Sequence, residues 1–160
     1  MIGGINLVIA VGCDHGGLKL KNEIIEFLND NNYSFKDYGT YTTESVDYPD
    51  YGLKVAESIL NGECDRGIVV CGTGLGISIS ANKVPGIRAV VCTNSYMAKM
   101  GREHNDSNVL ALGERVVGTG VALDIVDTWL KTEFQDGRHT QRIEKISQIE
   151  KKYTHKKRGI

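Results

Sequence analysis

Residues 67–83 read GIVVCGTGLGISISANK. Ile68, Val69 and Val70 form an apolar run with no polar alternation, which is the pattern of a strand buried on both faces. Cys71 ends that run. Gly72, Gly74 and Gly76 follow at alternate positions, and small residues then continue in a helical segment toward Ala81. Strand, glycine turn and helix together make one βα unit, and such units build parallel sheets. The spacing is not the GxGxxG dinucleotide fingerprint, and no acidic residue ends the next strand about 20 positions on. The Gly-Lys-Ser/Thr of a phosphate-binding P-loop is absent too. What remains is a glycine-lined turn that exposes backbone N–H groups, next to a thiol. At this point Cys71 is a core residue, a redox group, a metal ligand or a catalyst.

Outward from this unit the pattern repeats. Ile5–Val11 is a second strand without polar alternation, followed by GCDHGG and a helix over Leu18–Leu28. Phe35–Tyr38 reads as a strand, and a polar loop leads to a helix over Asp50–Leu60. IRAVVC (Ile87–Cys92) and Val109–Leu112 supply the remaining strands. Helices are expected over Ser95–Arg102, Val121–Phe134 and Arg142–Lys152. The predicted fold is therefore α/β, a three-layer α/β/α sandwich with a mostly parallel five-stranded sheet and right-handed crossovers. Ligands of such sheets bind beyond the carboxyl ends of the strands. GCDHGG, CGTGLG and GERVVG all fall at such ends, whereas REHNDSN immediately precedes a strand.

The chain of 160 residues fits one domain, taken here as 1–152, with 153–160 as a basic, solvated C-terminal tail. It is 41% hydrophobic and 24% charged with a formal net charge of −1, so nothing general points to nucleic acid. No apolar run is long enough for a membrane span, and the start lacks the pattern of a secretory signal. Cys13, Cys64, Cys71 and Cys92 contain no CxxC pair, so free thiols in a reducing cytoplasm are expected and a dithiol redox protein is not. No Cys/His pair has close ligand spacing, which argues against a metal site.

The polar clusters have a common chemistry. Asp14 and His15 follow the first strand, where a carboxylate and an imidazole can orient a polyol or an anion. The CGTGLG turn can hold charge developing on an oxygen, and a thiolate at Cys71 can abstract a proton as well as attack carbon. His104 and Asn105 come from REHNDSN. Arg138, His139 and Arg142 come from GRHTQR, and Arg138 and Arg142, four apart, share a face on one helix. Two guanidinium groups there suit a phosphate. Each cluster alone also has a bland reading as a cap, a tight turn or a solvated face. Together they describe a sugar-phosphate site with a base, an N–H cradle, hydroxyl-handling groups and phosphate donors.

GCDHGG, DYPDYG, CGTGLGISISANK, IRAVVC, HNDSNVLALGERVVG and DGRHTQR, in this order from about residue 7 to 150, resemble the ribose-5-phosphate isomerase B family. The wider group includes the galactose-6-phosphate isomerase subunits. The resemblance implies a Rossmann-like sandwich used without nucleotide, metal or other cofactor, and aldose–ketose interconversion of ribose 5-phosphate and ribulose 5-phosphate. It implies Cys71 as the base moving a proton between C1 and C2, with Thr73 beside it and Gly72, Gly74 and Gly76 holding the enediolate oxygens. His104 matches the ring-opening residue, with Asp14 as its partner near the ring oxygen, and Asn105 matches a hydroxyl or enediolate contact. His15, Arg138 and Arg142 match the phosphate set, Arg115 is a further contact, and Tyr48 lines the pocket. The family builds its site at a homodimer interface, some members pairing dimers into tetramers, with the HND segment supplied by the neighbouring chain.

Two departures from the family stand out. Cys13 replaces the serine often found before the Asp-His pair, adding a second thiol near the site. Ile77 occupies the position where some relatives carry a glutamate base, which leaves Cys71 as the base. A six-carbon substrate such as allose or galactose 6-phosphate is the rival reading, and a non-catalytic sugar-phosphate-binding domain would require a lost base or a blocked pocket.

Overall fold

The computed structural model of the protein describes residues 7–154. The chain alternates strand and helix: β1 (Val8–Cys13), α1 (Leu18–Asp30), β2 (Ser34–Asp37), α2 (Tyr48–Leu60), β3 (Arg66–Cys71), α3 (Leu75–Ala81), β4 (Ala89–Val91), α4 (Ser95–Asn105), β5 (Val109–Gly113), α5 (Thr119–Lys131) and α6 (Arg138–Thr154). The sheet order is β2-β1-β3-β5-β4, and every neighbouring pair is parallel. The chain steps from β1 to β2 on one side and then crosses to β3 on the other. The β1/β3 boundary is therefore the topological switch point, where the following loops part and leave a crevice. Register aligns the strand ends: Cys13 lies opposite Val70, and Cys71 opposite Gly113.

The two faces of the sheet are packed differently. Ile9, Val11, Ile68, Val70, Leu110 and Leu112 meet α1, α4 and α5, including the fully buried Trp129. The alternate positions carry smaller groups, Ala10, Val69, Cys71 and Ala111, and meet Val55, Ala56, Ile77 and Ala81 of α2 and α3. Gly67 belongs to this second set; a Cβ there would come within 2.4 Å of Val55 Cγ1. The small face lets α2 and α3 sit close, which fixes the helix that follows Cys71.

Several expected boundaries move. α4 continues through Asn105, so His104 and Asn105 lie on its last turn and not in a loop. α5 ends at Lys131 instead of Phe134. α6 begins at Arg138, four residues earlier than expected, after Gly137 takes a φ of +70° that turns the chain into the helix. β4 shrinks to Ala89–Val91, because the backbone N–H of Ile87 is spent in a turn to Val84 and that of Arg88 goes to the Asn108 side chain. α6 also carries the first two residues assigned to the basic tail. The remainder of that tail, 155–160, and the first two residues of the Ile5–Val11 strand lie outside the described residues.

One buried cation anchors the segment after β2. Lys21 on α1 is 1% exposed; its ammonium donates to both Asp37 carboxylate oxygens at 3.0 and 2.8 Å and to the Thr40 carbonyl at 3.0 Å, and lies 4.7 Å from the Tyr41 ring centre. Thr40 N–H in turn donates to Cys13 O at 2.7 Å, which ties this segment to the end of β1. Removing one partner of a buried pair strands the other charge. Lys21→Met is expected to lower unfolding free energy by about 2–3 kcal/mol in urea titrations, below the range for full burial because Asp37 is partly exposed, with Lys21→Met/Asp37→Asn regaining part of the loss.

Candidate active site

Cys71 closes β3 with its side chain on the α2/α3 face, 5% exposed. The chain turns sharply after it. Gly74 adopts φ +78° as the N-cap of α3 and donates its N–H to Cys71 Sγ at 3.1 Å. Thr73 is exposed, and its hydroxyl accepts the Leu75 N–H at 3.3 Å. Gly74 is required by shape as well as by φ, since a Cβ would meet Leu112 C at 3.0 Å. A Cβ on Gly76 would meet the Tyr48 ring at 2.8 Å, so Tyr48 lies directly over this turn.

The loop after β1 docks on the same place. Asp14 N–H donates to Val70 O at 3.2 Å, and the buried Asp14 carboxylate accepts Gly16 N–H at 2.8 Å. His15 Nδ1 accepts the Val46 N–H at 3.1 Å, so the neutral ring carries its proton on Nε2. From β5, the Glu114 and Arg115 N–H groups donate to Cys71 O and Gly72 O, each at 3.0 Å, and the Arg115 guanidinium packs against the Cα of Gly72. Asp14, His15, Tyr48, Cys71, Thr73, Gly72, Gly74, Gly76 and Arg115 are thus gathered around one crevice at the carboxyl ends of β1, β3 and β5. Cys13 and Cys71 end adjacent strands but face opposite layers, so the second thiol stays outside the crevice.

His104, Asn105, Arg138 and Arg142 do not join them. α4 runs back from the carboxyl end of the sheet, and its last turn lies where β4 and β5 begin. Parallel strands rise about 3.3 Å per residue, so this pole lies on the order of 13 Å or more from the crevice. It is rigidly built. Arg88 donates to Asn105 O at 2.9 Å, to Asp106 O at 3.0 and 2.8 Å, and to Asp106 Oδ2 at 2.9 Å. Arg102 donates to Asp106 Oδ1 at 2.9 Å and to Ser107 O at 2.6 Å. Asp106 takes a left-handed φ of +43° within this double clamp, leaving the preceding Asn105 side chain exposed. Trp129 lies beneath, donating its indole N–H to Ser107 Oγ at 2.8 Å with Arg66 and Arg102 near its ring.

The start of α6 packs on this pole. His139 stacks on His104, with ring centres 4.2 Å apart and planes 8° from parallel. Burial lowers the proton affinity of His139, and the positive charges of His104, Arg138 and Arg142 lower it further, with Glu103 opposing. GRHTQR draws notice in the sequence for its arginines; nothing in spacing links His139 to a histidine 35 residues away. Among the described residues, no group of three or more His, Cys, Asp or Glu could hold a metal ion, and no helix is long and apolar enough to cross a membrane.

Residues 9–146 match the model of the Ribose/Galactose Isomerase family. The chain belongs to that family. It is 52% identical to ribose-5-phosphate isomerase B of Escherichia coli, over 90% of this chain and 97% of that protein. It is 41% identical to D-erythrulose-4-phosphate isomerase of Pectobacterium atrosepticum, over 93% and 99%. A solved structure of Clostridium thermocellum ribose-5-phosphate isomerase B, 70% identical, superposes with a TM-score of 0.91 over 92% of this chain and 99% of that one. The α/β fold is that of these structures, and the chain is a sugar-phosphate isomerase of the ribose-5-phosphate isomerase B type.

The thiols outside the crevice carry their own consequence. Burial pushes Cys13 up to about 12 and Cys92 up to about 11, from an ordinary 9.0. Above pH 9 the unfolded chain loses these protons first, so the folded state holds more of them and stability falls as pH rises from 9 toward 11. Urea midpoints between pH 8 and 10.5 should decline, and less steeply in Cys13→Ser/Cys92→Ala.

Proposed function

We propose that the protein interconverts D-ribose 5-phosphate and D-ribulose 5-phosphate. The observation that carries this reading is the Cys71 thiol, held at the end of β3 with the Gly74 N–H aimed at its sulfur and the glycine turn beside it. In this reading the Cys71 thiolate takes the proton from C2 of the open-chain aldose and returns it to C1. N–H groups of the Gly72–Gly76 turn hold the enediolate oxygens, which is where charge develops. Thr73 lies beside the base, and Tyr48 closes the pocket over Gly76. His104 opens the sugar ring, with Asp14 near the ring oxygen and Asn105 on a hydroxyl. His15, through Nε2–H, binds the phosphate with Arg115, Arg138 and Arg142. The names of the Escherichia coli and Clostridium thermocellum proteins support the substrate.

The division of these residues between two poles supports a homodimer. Two antiparallel copies related by a two-fold axis would bring His104, Asn105, Arg138 and Arg142 of each to the crevice of the other, giving two composite sites. The relative acting on a four-carbon sugar phosphate shows that chain length varies within the family. Steady-state rates with ribose 5-phosphate and allose 6-phosphate therefore belong in the first assay. A higher kcat/KM on the six-carbon sugar would overturn the assignment of substrate.

Cys71→Ala is expected to lower kcat by about 10²–10⁴-fold while sugar-phosphate binding survives. The composite site has a sharper test. Cys71→Ala and His104→Asn are each nearly inactive alone. Mixed and re-equilibrated, they should regain about a quarter of wild-type activity, because half the dimers are hybrids and each hybrid has one intact site. No recovery in verified hybrid dimers would show that both residues act within one chain.

A further inference from the structure

Building on the assignment of His104 as the ring-opening group, we propose that His139 is a positioning residue for this reaction, the flat support against which the His104 imidazole is held. The rings are nearly parallel at 4.2 Å, a separation at which aromatic faces are in contact. His104 sits on the last turn of a helix and is part-buried, and among the described residues its ring makes no hydrogen bond, so the stack on His139 is a contact that restrains its rotation. The support itself is fixed. His139 is 4% exposed on the first turn of α6. Its Nε2 lies 3.5 Å from Arg138 Nε, which makes Nε2 the acceptor and leaves the neutral ring's proton on Nδ1. Glu103 and the guanidinium groups of Arg138 and Arg142 are the other charges bearing on it.

The Nδ1 atom is buried and has no hydrogen-bond partner among the described residues. A buried polar atom left unpaired is unfavourable, so its retention calls for a reason. An aliphatic side chain would fill the same space without that penalty but would present no plane to His104. The same residue also joins two parts of the site, since its ring touches His104 on one side and the Arg138 side chain at its edge. The pole thus reads as one unit in which the ring-opening imidazole and a phosphate-binding arginine are set relative to each other through His139.

The test compares His139→Phe, which keeps the plane, with His139→Leu, which keeps volume only. Two activities are read. Conversion of ribose 5-phosphate requires ring opening. Exchange of the C1 hydrogen of ribulose 5-phosphate with deuterated water requires only proton transfer at Cys71, because that ketose has its C5 oxygen esterified and cannot close a furanose. Phe should hold conversion within about threefold of wild type, with equal or higher Tm. Leu should lower conversion by about tenfold or more while exchange stays near wild type. The upfield ring-current shifts of the His104 proton resonances should persist in Phe and vanish in Leu. The proposal fails if Leu retains conversion, if Phe falls as far as Leu, or if conversion and exchange fall together in Leu at unchanged Tm. His104→Asn is the control for the underlying assignment: equal loss of both activities there overturns the ring-opening role itself, whereas loss of conversion alone in His104→Asn with an unaffected His139→Leu overturns only the role of His139.

Discussion

The close contact of the loop after β1 with the end of β3 governs the rest of the crevice. Gly17 lies so near Val70 that a Cβ would come within 2.6 Å of its carbonyl carbon and oxygen, and a Cβ on Gly16 would come within 3.2 Å of Gly72 N. No side chain fits between these backbones without parting them. Asp14 N–H bonds Val70 O across the same gap. The contact exists because β1 and β3 are neighbours whose loops leave in different directions at the switch point. It brings a carboxylate, an imidazole and a thiol from residues 57 positions apart into one pocket. β5 closes the third side in the same way: Gly113 leaves no room for a Cβ beside Thr73, and its two successors bond the Cys71 and Gly72 carbonyls.

The opposite pole is held by charge where the crevice is held by backbone. Asp106 is gripped by Arg88 and Arg102, and Arg102 shares the Trp129 ring with Arg66. Arg66 further donates to the Leu130 carbonyl at 3.0 Å, capping α5. Burial and the neighbouring Arg102 charge lower its proton affinity, though a guanidinium stays charged. Bidentate and backbone-directed arginine bonds are geometrically specific. They fix the last turn of α4 at a left-handed residue that would otherwise be a natural place for the chain to fray.

The crevice was legible in the sequence because parallel α/β sheets put loops after strands in one place. Ile68–Val70 and Val109–Leu112 marked their strands through unbroken apolar runs, and Cys71 and Arg115 followed at known ends. The second pole was less legible. The helix expected over Ser95–Arg102 continues through Asn105, because Arg102 and Asp106, polar residues that interrupt the apolar rhythm, are tied to each other and to the backbone at its end. Phe134 suggested a longer α5, whereas it belongs to the connection before Gly137. The His104–His139 stack leaves no sequence signal, since it depends on how α6 lies across α4. Lys21 was likewise hidden: a lysine in an amphipathic helix reads as solvent-facing until Asp37 is known to lie beneath it.

The topology itself explains why Cys71 and His104 end up apart. In a βα repeat, a residue following a strand and a residue ending a helix must lie at opposite ends of the sheet, because the helix returns antiparallel to the strand. Cys71 is of the first kind and His104 of the second. No loop adjustment within one chain reverses that, since it would require unwinding α4 and releasing the Arg88 and Arg102 clamps. If both groups act on one sugar, a second copy must supply one of them. A pocket completed in that way would have two walls that are each rigid before they meet, with orientation set by the contact between copies.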